Sequence, residues 1–233
     1  MPHCQLTLSA NAGVSLELGR ARLWSDVLHN KKVPGFSTVT PELWEFLRKN
    51  NHFAKPDLIF YTHCHPDHYS RGLTEQARTL WPHAELILPE QEFDDQILLS
   101  GKGCRLSFSG LSLEFRRLPH EGEQYAGVPN YGCVINDSGF RILIAGDCSV
   151  ANSELADLIE EAPIDLALLN FPWAALSRGR DFIRQQIRPK HLVLISFALY
   201  RGQPVGLPGG GSPGGKVSLG HSGRPHSPGR TAV

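Results

Sequence analysis

The sequence predicts an α/β fold, because short apolar runs typical of β-strands alternate with segments of helical spacing up to about residue 201. Residues 13–28 have the pattern of a β-hairpin, in which Gly19 lies in the turn between two alternating runs. Helices are predicted to begin near Pro41 and Leu73, with Thr40 and Thr74 as candidate N-caps. Further strands are predicted at residues 57–63, 85–89, 111–118, 131–136, 140–147, 165–170 and 191–196.

The composition divides the chain into two parts. Residues 1–201 are long enough to form one domain with a substantial core, in a chain of 233 residues that is 41% hydrophobic. Residues 202–233 are rich in glycine and proline and contain no acidic and no aromatic residue. Such a segment buries too little apolar surface to offset its ordering entropy, so we expect a disordered tail.

The charge balance and the cysteine content indicate which kinds of partner and which cellular location to expect. The 23 basic and 23 acidic residues balance, so no net positive charge favours nucleic acid or an anionic membrane surface. The five cysteines form no C-x-x-C pair, and no stretch resembles a signal peptide or a membrane span. These features predict a cytoplasmic protein that acts on a small molecule, and they leave the oligomeric state open.

A cluster of possible metal ligands follows the predicted strand at residues 57–63. His63, His65, Asp67 and His68 lie within six positions, in the sequence THCHPDHY. Alternate residues of an extended backbone point the same way, so His63 and His65 can bind one ion, while Asp67 and His68 face a second. Imidazole suits zinc, and the carboxylate is compatible with Mn²⁺ or Fe²⁺ as well. A loop that is rich in histidine by chance would not be expected at the end of a buried strand.

This H-x-H-x-D-H motif resembles that of the metallo-β-lactamase superfamily, and the similarity extends over about residues 10–200. The resemblance implies a four-layer αβ/βα sandwich with the metal ions at one edge, between the two sheets. By the same resemblance His63, His65 and His120 would hold the first ion, and Asp67 and His68 the second, with Asp147 bridging the two. In detail the sequence is most similar to the branch of ascorbate-phosphate lactonase-like hydrolases.

One position departs from the family pattern. The family has a histidine, a ligand of the second ion, at the end of a late strand, and here that strand ends at Ser196. His191 stands at the other end, about 16 Å away at about 3.3 Å per residue, so it should not reach the metals. The second site is therefore expected to be more open and weakly occupied, unless His221 or His226 of the tail completes it.

Three further residues are candidates for the substrate pocket. Asn170 and Trp173 follow the predicted strand at residues 165–170, and Ser196 ends the strand at residues 191–196. Asp67 is a candidate catalytic residue, because it could position a water molecule or accept its proton. A packed loop anchored by Trp173 is an equally good interpretation of the segment that contains Asn170.

The resemblance implies a metal-dependent hydrolase in which one or two Zn²⁺ ions activate water against an ester, lactone, amide, thioester or phosphodiester. Because the late histidine is missing, the alternative is a metal-binding but catalytically impaired protein that acts as a binding module. An iron-dependent redox enzyme of the same fold would be expected to carry glutamate at the position of His65. A nuclease that processes tRNA would be expected to carry a basic patch, which the neutral composition does not favour.

Overall fold

The computed structural model describes residues 4–19, 21–160, 162–197 and 216–218. The described strands form one sheet of seven strands and one of six. They are β1 (Cys4–Leu8), β2 (Val14–Leu18), β3 (Ala21–Ser25), β4 (Leu58–Phe60), β5 (Glu85–Leu88), β6 (Ile97–Leu98), β7 (Gly103–Phe108), β8 (Leu111–Leu118), β9 (Asn130–Asp137), β10 (Phe140–Ile144), β11 (Leu166–Asn170), β12 (His191–Ile195) and β13 (Lys216–Ser218).

Both sheets are mixed, with antiparallel hairpins followed by parallel strands. The first sheet has the order β13-β1-β2-β3-β4-β5-β6, and its pairs from β3 to β6 are parallel. The second has the order β12-β11-β10-β9-β8-β7, in which β10, β11 and β12 are parallel. Since β9 is antiparallel to both β8 and β10, the strands β8, β10, β11 and β12 all run in one direction. The carboxyl ends of these four strands therefore lie at one edge.

The helices are α1 (Pro41–Leu47), α2 (Arg71–Leu80), α3 (Ser153–Ile159), α4 (Phe171–Ala175) and α5 (Ser177–Phe182). A 3₁₀ turn at Glu123–Tyr125 and a π-helix at Ile183–Ile187 complete the described elements. Thr40 caps α1 as predicted, because its side chain accepts a hydrogen bond from the Leu43 amide at 3.2 Å.

The predicted start of α2 was wrong by two residues. The helix begins at Arg71, and the side chain of Ser70 accepts the capping hydrogen bond from the Leu73 amide. Thr74 lies inside the helix, where its hydroxyl is hydrogen-bonded to the buried Tyr61 hydroxyl at 2.6 Å. A tertiary contact therefore explains Thr74, which sequence alone could not distinguish from a cap.

The core is divided by the alternation of side chains along the strands. Leu23 packs between the sheets, whereas the next residue, Trp24, packs with Trp81 at 5.2 Å between ring centroids on the helix-covered face. Ile142 and Leu143 divide in the same way between the inner layer and the layer under α3. The result is helix, sheet, sheet and helix, so the expected four-layer αβ/βα sandwich is confirmed.

All seven strands predicted outside the hairpin are present, as is the hairpin itself, formed by β2 and β3. The sequence reading had not identified β1, β6 or β7. Of the predicted tail at residues 202–233, only Lys216–Ser218 is described, as a strand antiparallel to β1; His221 and His226 lie outside the described residues. Within the described ranges, no helix is long and apolar enough to cross a membrane.

Gly146 lies where the ends of β4 and β10 approach each other. Its φ is +59°, and a Cβ there would lie 2.6 Å from the Asn130 side-chain oxygen and 2.8 Å from Thr62 Cβ. Gly139, in the β9–β10 turn, also has a positive φ, of +94°, but a Cβ there would meet nothing within 4 Å. An alanine at either position would have an unfavourable positive φ, but only at Gly146 would its Cβ also overlap with neighbouring atoms.

We predict that Gly146→Ala lowers the free energy of unfolding by about 1–3 kcal/mol more than Gly139→Ala, because only the first also overpacks a buried junction. Equilibrium unfolding in urea of both variants measures the difference. Equal losses would show that the chain ends at this edge are not closely packed.

Candidate metal centre

The predicted ligands gather at the edge where the aligned strands of both sheets end. The first sheet contributes the segment after β4, which holds the H-x-H-x-D-H motif. The second sheet contributes the residues that follow its co-directional strands. The residues at these ends are His63, His65, Asp67 and His68 after β4, His120 after β8, Asp147 after β10, Asn170 at the end of β11 and Ser196 after β12.

Three histidines form the first group. One possible ligand atom from each of His63, His65 and His120 lies within 4.8 Å of the others. Their ring centroids are 4.7 to 4.9 Å apart, although His120 is 55 residues beyond His65 in the chain. Three neutral imidazoles at this spacing match the donors of a zinc site that leaves a position for a further ligand.

The hydrogen bonds of His63 and His120 direct the lone pair of each Nε2 into the site. His120 Nδ1 is 2.8 Å from the Glu121 carbonyl oxygen, which can only accept, so Nδ1 carries the proton. The Thr62 hydroxyl donates its single proton to Asp26 Oδ2 at 2.7 Å and therefore accepts from His63 Nδ1 at 3.0 Å. Each imidazole consequently has its unprotonated Nε2 left for a metal ion.

The ring of His68 is also oriented by a hydrogen bond at Nδ1. Its Nδ1 donates to Asp26 Oδ2 at 3.0 Å, and its ring is fully buried. Among the described residues, Nε2 of His63 and His120 are buried atoms without a hydrogen-bond partner, whereas Nε2 of His68 lies 3.4 Å from Asp147 Oδ2. Two such atoms in one site would be costly in a protein that bound nothing there, because buried polar groups are normally paired. The residues present therefore fit a divalent metal ion.

The second group consists of His68 and Asp147, with His63 shared between the two groups. His68 Nε2 is 3.4 Å from Asp147 Oδ2 and 3.9 Å from Asp67 Oδ2. Asp147 therefore lies beside His68, in the group that shares His63 with the first. Asp67 is close to His68 but outside the two compact groups, and the Asn11 side chain donates to its Oδ2 at 3.3 Å.

Electrostatics couples these groups in the metal-free protein. Burial and the neighbouring His68 lower the pKa of His63 well below its ordinary value, which keeps this imidazole neutral. For His68, burial alone would lower the pKa, but the carboxylates of Asp147 and Asp26 raise it well above the usual range. The pKa of Asp147 is depressed despite its burial, because His68 faces it. A metal ion at this position would replace the proton on His68.

Two ligand-bearing loops of the second sheet are joined by backbone hydrogen bonds. His120 and Cys148 form an isolated antiparallel bridge. The Glu121 amide donates to the Asp147 carbonyl at 2.8 Å, and the Ser149 amide donates to the Pro119 carbonyl at 2.7 Å. The positions of His120 and Asp147 are therefore fixed relative to each other before any ion binds.

Asp26 is the main functional residue that sequence reasoning missed. It directly follows β3 in a left-handed conformation, with φ of +52°, and its side chain is 1% exposed. Its Oδ1 accepts the Thr62 amide at 2.8 Å, while Oδ2 accepts the Thr62 hydroxyl and His68 Nδ1. The only signal in the sequence is a carboxylate at the end of an apolar run, and Thr62 is 36 residues further along.

The three predicted pocket residues have different surroundings. Trp173 is fully buried in the core beneath α3 and packs on Phe182, so its prediction as a pocket residue is wrong. Asn170 is also buried, and its amide lies 3.3 Å from Asp147 Oδ1. Ser196 is 6% exposed, and its hydroxyl has no partner among the described residues.

Tyr125, which was not predicted, borders the open side of the first group. Its ring centroid is 4.9 Å from that of His65 and 5.0 Å from that of His120, and the residue is 40% exposed. Tyr125 lies on the 3₁₀ turn after β8, a segment in which the sequence showed no strand or helix pattern.

We predict that Asp26→Asn lowers the stability of the metal-free protein by about 3 kcal/mol, because the variant loses the buried charge that faces His68. It should also weaken metal binding about 10- to 100-fold, since His68 is no longer held in one orientation. Urea unfolding and calorimetric metal titration measure the two effects.

Asp57→Asn is the matched control, because this half-buried carboxylate lies at the opposite end of β4 and accepts the Arg22 amide at 2.8 Å. Its metal affinity should equal that of the unmodified chain. Equal metal affinity in both variants would contradict the role assigned to Asp26.

Comparison with solved structures shows the same fold in several proteins. Igni18, described as a novel metallo hydrolase from Ignicoccus hospitalis, is 20% identical with a TM-score of 0.62, and 84% of each chain is covered. The metallo-β-lactamase fold protein YhfI from Bacillus subtilis is 13% identical with a TM-score of 0.60, over 84% of this chain and 86% of that one.

CmlA from Streptomyces venezuelae, described as a diiron β-hydroxylase, is 15% identical with a TM-score of 0.56, over 83% of this chain and 45% of that one. No family model matches the sequence, and no curated protein matches it. Sequence identities this low show that the proteins share a fold, but they do not show that the proteins share an activity. Together with the four layers and the position of the ligands, they show that this chain has the metallo-β-lactamase fold.

Proposed function

We propose that the protein is a metal-dependent hydrolase with its reaction centre at His63, His65, Asp67, His68, His120 and Asp147. The observation that carries the proposal is the pair of buried Nε2 atoms on His63 and His120 that have no hydrogen-bond partner among the described residues, beside His68, whose Nε2 lies 3.4 Å from Asp147 Oδ2. In each ring a hydrogen bond at Nδ1 leaves Nε2 as the atom that faces the site. Buried polar atoms without a partner are costly, so the free nitrogens favour a bound metal ion.

The side chains of the site would hold metal ions at two positions. His63, His65 and His120 would hold the first ion, while His68 and Asp67 would hold the second and Asp147 would contact both. When bound, such ions supply Lewis acidity that makes water nucleophilic near neutral pH and polarises the scissile bond. Asp67 has a partly exposed carboxylate, with 13% of its side chain accessible, and would orient the attacking water and accept its proton.

Zinc is the ion that we propose for the first position, because its donors are three imidazoles. The second position has two carboxylates and one imidazole, a set that Mn²⁺ or Fe²⁺ also accepts. The fold itself does not decide the metal, since it is shared with a protein described as a diiron enzyme. Metal analysis of the purified protein therefore has to precede any assay.

A small, uncharged or weakly charged substrate is the class that the balanced composition favours. The wall of the site includes the exposed ring of Tyr125, which would contact an apolar part of such a molecule. The scissile bond would be an ester, lactone, amide, thioester or phosphodiester, all of which a polarised carbonyl or phosphoryl oxygen makes reactive. A cytoplasmic location stays a prediction from the sequence.

A second candidate function is metal-dependent binding without turnover. Ser196 supports it, because this residue occupies the end of β12, where the family pattern has a histidine ligand. Its hydroxyl is a much weaker metal ligand than an imidazole. Under this candidate the protein would hold one ion and hydrolyse nothing at a useful rate.

We predict that the purified protein holds one divalent ion firmly, fills a weaker second site when Zn²⁺ or Mn²⁺ is supplied, and hydrolyses a chromogenic phosphodiester or lactone in a metal-dependent reaction. His120→Ala should lose the first ion and lower kcat/KM at least about 100-fold, since an open three-histidine site becomes a two-histidine site. Elemental analysis and initial rates are measured on the same samples.

His191→Ala is the control, because this exposed histidine lies at the opposite end of β12 from the site. It should retain both metal and activity. One ion per chain without turnover would favour the binding module over the hydrolase, and a chain that binds no ion would contradict both.

A further inference from the structure

Asn11 makes a connection that the metal ligands alone do not explain. It lies in the turn between β1 and β2, and its side-chain amide Nδ2 donates to the Asp67 carbonyl at 3.0 Å and to Asp67 Oδ2 at 3.3 Å. Both partners can only accept, so the orientation of the Asn11 amide is fixed. Asp67 is 56 residues away in the sequence and belongs to the ligand loop.

The backbone of Asn11 is itself held on two sides. Its amide donates to the Ser37 hydroxyl at 2.8 Å, and its carbonyl accepts from the Ser196 amide at 3.3 Å. Its φ is +47°, a left-handed conformation that asparagine adopts more readily than most residues. A residue at this position therefore needs both tolerance of a left-handed backbone and a side-chain donor.

The contact determines which way the Asp67 carboxylate faces. Asp67 Oδ2 is the oxygen that lies 3.9 Å from His68 Nε2, and it is the same oxygen that Asn11 contacts. A single hydrogen bond leaves lone pairs of this oxygen available to a metal ion. Among the described residues, Asn11 is the side chain that donates to the Asp67 carboxylate, so without its amide the carboxylate could rotate away from His68.

We propose that Asn11 is a positioning residue of the second metal site, which couples the end of β12 at Ser196 to the ligand Asp67. This inference rests on the proposed dinuclear site. The end of β12 thus acts on the second ion through Asn11 and not through a ligand of its own. Hydrogen bonds that orient a metal ligand typically contribute about 10- to 100-fold to metal affinity.

The test uses Asn11→Gly, since glycine keeps the left-handed backbone and removes only the amide. Calorimetric titration of the metal-free full chain with Zn²⁺, and absorption spectra during titration with Co²⁺, separate the first and second equivalents. We expect the dissociation constant of the second equivalent to rise about 10- to 100-fold while that of the first is unchanged. The Co²⁺ spectrum should change only in the second equivalent.

Ser138→Gly is the matched control, because Ser138 also has a left-handed φ, of +51°, but lies in the β9–β10 turn. It should bind both equivalents normally, and the thermal midpoints of all metal-free proteins serve as a check on folding. If the unmodified chain binds two ions and Asn11→Gly binds both as tightly, or loses both equally, this inference alone is overturned. If the unmodified chain binds no second ion, the dinuclear site fails with it.

Discussion

The buried carboxylate of Asp26 is the interaction on which the rest of the site depends. It accepts two hydrogen bonds from Thr62 and one from His68, in a position that is almost completely excluded from solvent. The Thr62 hydroxyl then accepts a hydrogen bond from His63 Nδ1, so one carboxylate orients two of the histidines of the proposed metal centre. A charge buried at this depth is stable only when its acceptor sites are filled, so these donors cannot be removed one at a time without cost.

This network also joins the two halves of the sandwich. The Thr62 carbonyl accepts a hydrogen bond from the Tyr131 amide of β9 at 2.8 Å, and Gly146 packs against the Thr62 side chain. The end of β4 in one sheet is therefore held directly against β9 and the end of β10 in the other. The proposed metal centre lies at the place where the sheets are held together, so rigid strand ends position its side chains even though these lie on loops.

The sequence was sufficient for those features that depend on local pattern. The strand-to-loop transition before His63, the two histidines at alternate positions and the four layers implied by the resemblance all agree with the structure. What could not be read from sequence involves partners far apart in the chain. Asp26 and Asn11 act on residues 36 to 56 positions away, and no local periodicity distinguishes either from an ordinary turn residue.

Two corrections have the same physical origin. Thr74 is of a residue type that often caps helices, but it lies within α2 and is hydrogen-bonded to Tyr61. Trp173 follows a strand that ends at the site, but its side chain is buried in the core. In each case a tertiary contact decides the role of a residue whose local sequence permits two. Ser196 is the opposite case. The family pattern has a metal-binding histidine at this position, and in this chain the Ser196 amide donates a hydrogen bond to the Asn11 carbonyl.

The most direct test of the dinuclear centre is anomalous X-ray diffraction from crystals of the full chain grown with Zn²⁺. The account predicts two anomalous peaks at the strand-end edge, one bounded by His63, His65 and His120 and the other by Asp67, His68 and Asp147. A single peak among the three histidines would contradict the second site. Zinc bound only at exposed histidines such as His83, with no peak at this edge, would contradict the central claim.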